Sequence, residues 1–156
     1  MMRRAGFGVW LLAVGQTLTY AGVYYGFPAL LPDLILQTGW AVGDLALGPT
    51  LGFLVMALML PITGRMLDHG HGAALMLGGA ALSALGLAAL SQVSMLWQWW
   101  AIWAVIGLAQ SACLYETVFA QVTRVLGTAQ GLTARAAITR ITLVAGFAGS
   151  LAFPLG

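Results

Sequence analysis

Charged side chains are scarce in this chain. Six arginines and four acids make up 6% of its 156 residues, lysine is absent, and Cys113 is the single cysteine. A soluble domain carries roughly 25% charged residues on its surface, so this composition excludes a water-soluble globule. One cysteine also leaves no disulfide partner within the sequence and excludes a cysteine metal cluster. With 61% hydrophobic residues, the chain is expected to lie in a membrane.

Long apolar runs separated by short breaks predict five membrane-spanning helices, at residues 7–31, 45–67, 73–93, 96–122 and 136–155. Each run has about the 20 residues that cross a bilayer as a helix. Helices are favoured over a barrel, because barrel strands alternate apolar and polar residues whereas these runs are apolar throughout. The sequence therefore predicts an all-α, multi-pass bundle in a single domain over residues 1–156, in contact with the lipid bilayer.

The arginines indicate how the helices are oriented. Arg3 and Arg4 precede the first expected span, Arg65 ends the second, and Arg124 and Arg135 lie between the fourth and the fifth. All five fall on one side of the membrane, and cytoplasmic loops collect arginine. We therefore expect a cytoplasmic N-terminus. Because the arginines form no basic stripe, no nucleic-acid partner is expected.

Tryptophans and small residues predict how the helices meet lipid and each other. Four tryptophans crowd the outer start of the fourth expected span: Trp97, Trp99, Trp100 and Trp103. Indole rings favour the headgroup region, so we expect them to form an interfacial belt. Small residues four apart are typical of close helix packing, and Gly48, Gly52 and Gly107 belong to such pairs.

The first expected span carries polar and aromatic side chains on one face. At 100° per residue, an arc of about 140° holds Gln16, Thr19, Tyr20, Tyr24 and Phe27. Polar-aromatic faces of membrane spans point into the bundle or a water-filled cavity. We expect Gln16, Tyr20, Tyr24 and Phe27 to line a solute pathway; ordinary hydrogen bonds between helices are the alternative.

Glu116 and Arg140 are the ionisable residues expected inside the bilayer, where charge is costly. On consecutive antiparallel spans they would lie at comparable depth. Two interpretations are open. The residues form an ion pair that only locks two helices together, or Glu116 gains and loses a proton or binds solute.

No metal site and no enzyme are expected. Asp68, His69 and His71 offer three ligands, but one short loop fixes little geometry, and no further His or Cys stands nearby to complete a site. The serines have no histidine within their own spans, and no glycine-rich phosphate loop followed by lysine occurs. Neither a cofactor nor an enzymatic activity is therefore expected.

The loop after the second expected span resembles a motif of the major facilitator superfamily of transporters. That family carries a Gly-x-x-x-Asp-Arg-x-Gly pattern there, and Gly64 and Asp68 match its spacing. His69 stands where the family usually has arginine. The resemblance implies a cytoplasmic gating loop made by Gly64, Arg65, Asp68 and Gly70.

The resemblance covers nearly the whole chain, and residues 114–124 and 134–155 are similar to spans of a proteobacterial branch. It implies the N-terminal half of a two-half transporter fold. The chain is then expected to be a fragment or truncated form of a secondary active transporter in a bacterial cytoplasmic membrane. Its partners would be a small solute, protons as a coupling ion, and the missing C-terminal half or another copy of the chain. The alternative is a complete small multi-pass protein that works as an oligomer or scaffold.

Overall fold

The computed structural model describes residues 10, 13–113, 115–126, 134–146 and 150. Every regular element among them is helical, as expected. The first helix, α1, joins residues 13–19, the π-helix Tyr20–Tyr25 and the helix Gly26–Thr38 without a break. The others are α2 (Val42–Asp68), α3 (Gly72–Leu90), α4 (Leu96–Cys113), α5 (Tyr115–Leu126) and α6 (Ala134–Ala145).

Among the described residues, three helices are long and apolar enough to cross a membrane: Val42–Asp68, Gly72–Leu90 and Leu96–Arg124, the last covering α4 and most of α5. They coincide with the second, third and fourth expected spans. The first and fifth expected spans, residues 7–31 and 136–155, lie partly outside the described residues. Helix length and composition together identify a membrane protein.

α1 extends further along the chain than its apolar run indicates. It continues through Pro32 and ends at Thr38, after which Gly39 takes a left-handed φ of 67° and donates its N–H to the Ile35 carbonyl. A positive φ strains residues that carry a Cβ, so a glycine terminates the helix. Proline removes one hydrogen bond of the helical ladder. Pro32 therefore interrupts the ladder without ending the helix.

α4 is the helix around which α2 and α3 pack. Each of these contacts α4 far more extensively than it contacts the other. α2 and α4 run parallel, because the Trp99 indole reaches the Leu45 carbonyl near the start of both helices and Gly107 lies against Gly52 further along both. This arrangement makes α4 the interior helix of the described bundle.

Glycines allow the backbones of α2 and α4 to touch. A Cβ on Gly107 would lie 2.7 Å from the Gly52 Cα and would collide with its carbonyl oxygen. Gly48 similarly leaves room for the Trp99 and Trp103 rings. The close packing expected from the four-residue spacing is confirmed at these three glycines.

The expected tryptophan belt is wrong for two of its members. Trp97 is 62% exposed, in keeping with an interfacial position, but Trp99 and Trp103 are only 4% and 3% exposed. Residues four apart share one helix face. That face of α4 turns toward α1 and α2 instead of lipid, so both rings belong to the core.

Trp99 supplies a hydrogen bond that Pro49 removes. In α2 the Leu45 carbonyl faces position 49, where proline has no N–H to donate. The Trp99 indole Nε1 donates to this carbonyl at 3.0 Å, and both Leu45 and Trp99 are buried. A side chain of α4 therefore satisfies a buried acceptor inside α2.

Candidate functional site

α1 changes to a π-helix over Tyr20–Tyr25. Such segments are rare and frequently occur at functional sites. Pro28 lies three residues after the π-helix and has no N–H to donate to the Tyr24 carbonyl. One backbone hydrogen bond is therefore missing at the C-terminal end of the π-helix. The backbone of α1 is therefore irregular along the stretch that holds its tyrosines.

The π segment divides the expected polar-aromatic face between two neighbours. Gln16 is 4% exposed and reaches α4, and the Phe27 ring lies 5.9 Å from the Trp103 ring of the same helix. Tyr24 is 44% exposed and lies 5.6 Å from the Phe53 ring of α2. A π-helix winds more residues into each turn, so the spacing of 100° per residue does not hold across it.

Aromatic rings form a partly exposed cluster where α1 meets α2. The Tyr24 ring lies 5.7 Å from that of Tyr20 and 5.2 Å from that of Tyr25. We call Tyr20, Tyr24, Tyr25 and Phe53 the aromatic cluster. It offers ring faces and phenol hydroxyls from successive turns of α1, next to the Phe53 ring of α2.

Gln16 links α1 to α4. Its Nε2 donates to the Cys113 carbonyl at 2.6 Å. Its Oε1 is buried and meets no hydrogen-bond donor among the described residues. The NH2 group of this amide therefore links the two helices, and its carbonyl oxygen stays without a donor among the described residues.

Gln110 lies three residues before Cys113, on the same face of α4. It is 1% exposed, and neither Nε2 nor Oε1 has a partner within the described part of the chain. The Trp103 ring, two helix turns before Gln110 on the same face, packs against Phe27 of α1. Cys113 meets α1 through its carbonyl, which accepts from Gln16, while its thiol lies 3.8 Å from the Ser83 hydroxyl of α3. Gln110 therefore faces α1, and we call Gln16 and Gln110 the amide seam.

Sequence reasoning missed Gln110 as a functional residue. The signal that identifies it is its chemistry, because it is the one amide in the apolar run over residues 99–113. An amide inside a membrane span is costly and needs a reason to be there.

Apart from the Trp103 indole Nε1, which is also buried without a partner among the described residues, the buried polar side chains described in α1, α4 and α5 outside these two amides are satisfied. The hydroxyl of Thr17 donates to the Ala13 carbonyl at 2.9 Å, and that of Ser111 to the Leu108 carbonyl at 2.7 Å. Thr117 donates to the Ser111 carbonyl at 2.8 Å. These groups need no ligand, which separates them from the amide seam.

At one end of the bundle, Arg124 joins the ends of two helices. Its guanidinium donates to the Leu67 carbonyl in the last turn of α2. Asp68 lines a cleft with Arg124 at this end. A cation near the carboxyl end of a helix is favoured by the helix dipole.

The remaining residues of the expected gating loop lie on the surface of the same end. Arg65 is exposed, and Gly64 has open space where a Cβ would stand. Gly70 has a φ of 89°, which permits the turn into α3. The His69 ring donates from Nδ1 to the Arg65 carbonyl at 2.7 Å.

The expected pair of ionisable residues belongs to α5 and α6. The Glu116 side chain lies outside the described part of the chain, and Arg140 is exposed. The two helices pack through a small apolar cluster with α1, made by Ala13, Val118, Val122, Ala137 and Ile141.

In the described ranges, no group of three His, Cys, Asp or Glu side chains is placed to hold a metal ion. Comparison with protein-family models, curated proteins and solved structures finds no match to the chain. Its function is therefore inferred from its own residues.

Proposed function

We propose that the chain forms part of a secondary active transporter that moves a small solute across a bacterial cytoplasmic membrane. The observation that carries the proposal is the amide seam, because Gln16 and Gln110 are buried in a bundle of helices apolar enough to span a membrane. Polar side chains in such a bundle are expensive and mark solute pathways. The resemblance to the N-terminal half of the major facilitator superfamily agrees with this function.

The distribution of charge supports a cytoplasmic N-terminus. Arg65 in α2 and Arg124 in α5 lie at the same end of the bundle, and the exposed Trp97 lies at the other end, where α4 begins. Arginine collects on the cytoplasmic side and tryptophan favours the interfaces. α1 then crosses from the cytoplasm outward.

In this proposal the solute pathway follows α1. The amide seam supplies hydrogen bonds on the side of α4, and the aromatic cluster supplies ring faces on the side of α2. Binding sites of secondary transporters lie where helices are interrupted, as α1 is over Tyr20–Tyr25. Glu116 is the candidate for proton coupling, with Arg140 as its candidate partner.

Uptake by membrane vesicles tests the proposal. Vesicles from cells that produce the complete natural protein containing this chain are offered a panel of labelled small solutes. We expect at least one solute to accumulate more than in vesicles without the gene, and a protonophore to abolish the gradient if protons drive it. Protein that is present in the membrane without any gene-dependent accumulation contradicts transport.

Comparing solute uptake by two glutamine variants tests whether the amide seam contributes to transport. Gln16→Leu removes the buried amide and should lower uptake about threefold to tenfold, the effect of one lost hydrogen bond. Gln92→Leu changes an exposed glutamine after α3 and is the matched control. Equal uptake by the two variants contradicts a role of Gln16 in the pathway.

A further inference from the structure

We infer that the amide seam binds an uncharged ligand through its hydroxyl groups. Water and a hydroxylated solute such as a small polyol share this chemistry. In naming the class of solute, the inference rests on the proposed function.

The free hydrogen-bonding groups of the seam define what it can bind. Gln16 keeps an accepting Oε1, while Gln110 keeps both an accepting Oε1 and a donating Nε2. Buried polar groups in proteins are almost always paired, with protein atoms or with ordered water. A hydroxyl group both donates and accepts, so it matches the two kinds of free group.

The ligand is uncharged because none of the described side chains offers the seam a counter-charge. Among the described side chains, no charged group forms a hydrogen bond or ion pair with either glutamine. An ion taken from water into a membrane bundle needs a compensating charge. Amides alone therefore select neutral, hydrogen-bonding molecules.

The positions of the two amides let one small ligand reach both. Gln16 is held at the level of the Cys113 carbonyl by its hydrogen bond, and Gln110 stands three residues, about 4.5 Å, earlier along the axis of α4 at 1.5 Å per residue. Both side chains face the boundary between α1 and α4. A molecule the size of a few heavy atoms spans this distance.

The seam lies beside the irregular part of α1. α1 and α4 run antiparallel, because Gln16 meets Cys113 while Phe27 meets Trp103. Gln110 falls between these two contacts, and so does the π-helix Tyr20–Tyr25. A backbone that departs from the regular ladder thus borders the unpaired amides.

Hydroxyl-radical footprinting of the complete protein in lipid nanodiscs tests for bound water. Radicals formed from ordered water label adjacent side chains even when they are buried. Ile106 and Cys113, 0% and 3% exposed on the Gln110 face, are the reporters. We expect labelling in the wild type and in Gln92→Leu, and at least a fivefold loss in Gln110→Leu.

Thermal unfolding of the same samples tests for a hydroxylated solute. Glycerol, erythritol or mannitol is added at about 10 mM, too dilute to act by exclusion from the surface. A polyol that binds at tenfold its Kd should raise the melting midpoint by about 3 °C. The rise should occur in the wild type and in Gln92→Leu and be lost in Gln110→Leu. Zwitterionic glycine betaine and anionic glutamate serve as the comparison solutes that carry ionised groups.

The outcomes separate the two sources and decide the inference. Labelling without a polyol shift identifies water, and a polyol shift that depends on Gln110 identifies a hydroxylated solute. The absence of both overturns the inference, as does a shift by a charged solute alone. If Gln110→Leu does not fold, the test is repeated with Gln110→Met and with Gln16→Leu. The second of these removes the other amide of the seam. Neither readout involves transport, so lost uptake with a retained footprint contradicts only the proposed function.

Discussion

At the scale of single residues, the bundle depends on side chains that replace missing backbone hydrogen bonds. Pro49 leaves the Leu45 carbonyl without its helical donor, and Trp99 provides one from α4. Inside a bilayer there is no water to do so instead. The packing of α4 against α2 therefore includes a hydrogen bond that is needed because position 49 is a proline.

Trp99→Phe should destabilise the protein by about 1–3 kcal/mol, because it leaves a buried acceptor unsatisfied. Trp100→Phe should lower the free energy of unfolding by less than Trp99→Phe does. The Trp100 indole donates to the Asp44 carbonyl at 2.9 Å, and in an α-helix that carbonyl also faces the N–H of Gly48. Unfolding in detergent can be followed with a thiol-reactive fluorophore that labels the buried Cys113 only when the protein opens.

Trp99→Phe also makes the buried ring smaller, and Pro49→Ala is the control that separates this effect from the lost hydrogen bond. An alanine restores the N–H that the Leu45 carbonyl lacks, so Trp99→Phe should cost less in this background. The double-mutant cycle isolates that difference. Strictly additive effects of the two substitutions would show that Pro49 and Trp99 do not share the carbonyl.

The sequence indicates the chemistry of single residues better than their partners. The polarity of Gln16 in an apolar run led to its prediction as an interior residue, and it is buried. Gln110 shows the same polarity in an apolar run and is also buried. The π-helix has no comparable signal, since its effect on side-chain direction arises from backbone hydrogen bonds that residue types do not specify. For that reason the sequence predicts Tyr24 and Phe27 on one face, whereas they lie against different helices.

At the scale of helices, apolar runs predict the middle of the bundle well. The second, third and fourth expected spans agree with α2, α3 and the helix Leu96–Arg124 within a few residues. Hydropathy does not reveal which helix is interior, because α3 and α4 are both strongly apolar. The distinction comes from packing, where small residues of α2 and α3 accept the large side chains of α4.

Gly107→Ala tests the contact between α2 and α4. The added methyl group would collide with the backbone of Gly52, which cannot rotate away, so we expect a loss of about 1–3 kcal/mol from overpacking. Gly78→Ala in α3 is the matched control, since a Cβ there meets nothing within 4 Å. Cys113 labelling during heating measures both. Equal melting midpoints for the two variants would contradict the close approach.

At the scale of the whole molecule, the two ends of the bundle differ in chemistry. The connection between α2 and α3 lies at the end with Arg65, Asp68 and Arg124, and the connection between α3 and α4 lies at the end with Trp97. The positive-inside rule predicts a cytoplasmic position for the first connection and an outward-facing position for the second.

Cysteine labelling in spheroplasts tests this orientation. His71→Cys and Ser94→Cys place thiols at exposed positions of the two connections, and the buried Cys113 stays silent. A membrane-impermeant maleimide should label Ser94→Cys at once and His71→Cys only after the membrane is opened. The reverse order would place the N-terminus outside.

The interior position of α4 also has a consequence for synthesis. α2 and α3 have little contact with each other, and the helix that both pack against is made after them. At about 5–20 residues per second, the ribosome needs a few seconds to add α4 and α5. During that interval the glycine-lined faces of the nascent α2 and α3 stand open to lipid, insertase or membrane protease. The chain is then most vulnerable to degradation before residue 124 has emerged, and a slow codon in this stretch would lengthen the exposure.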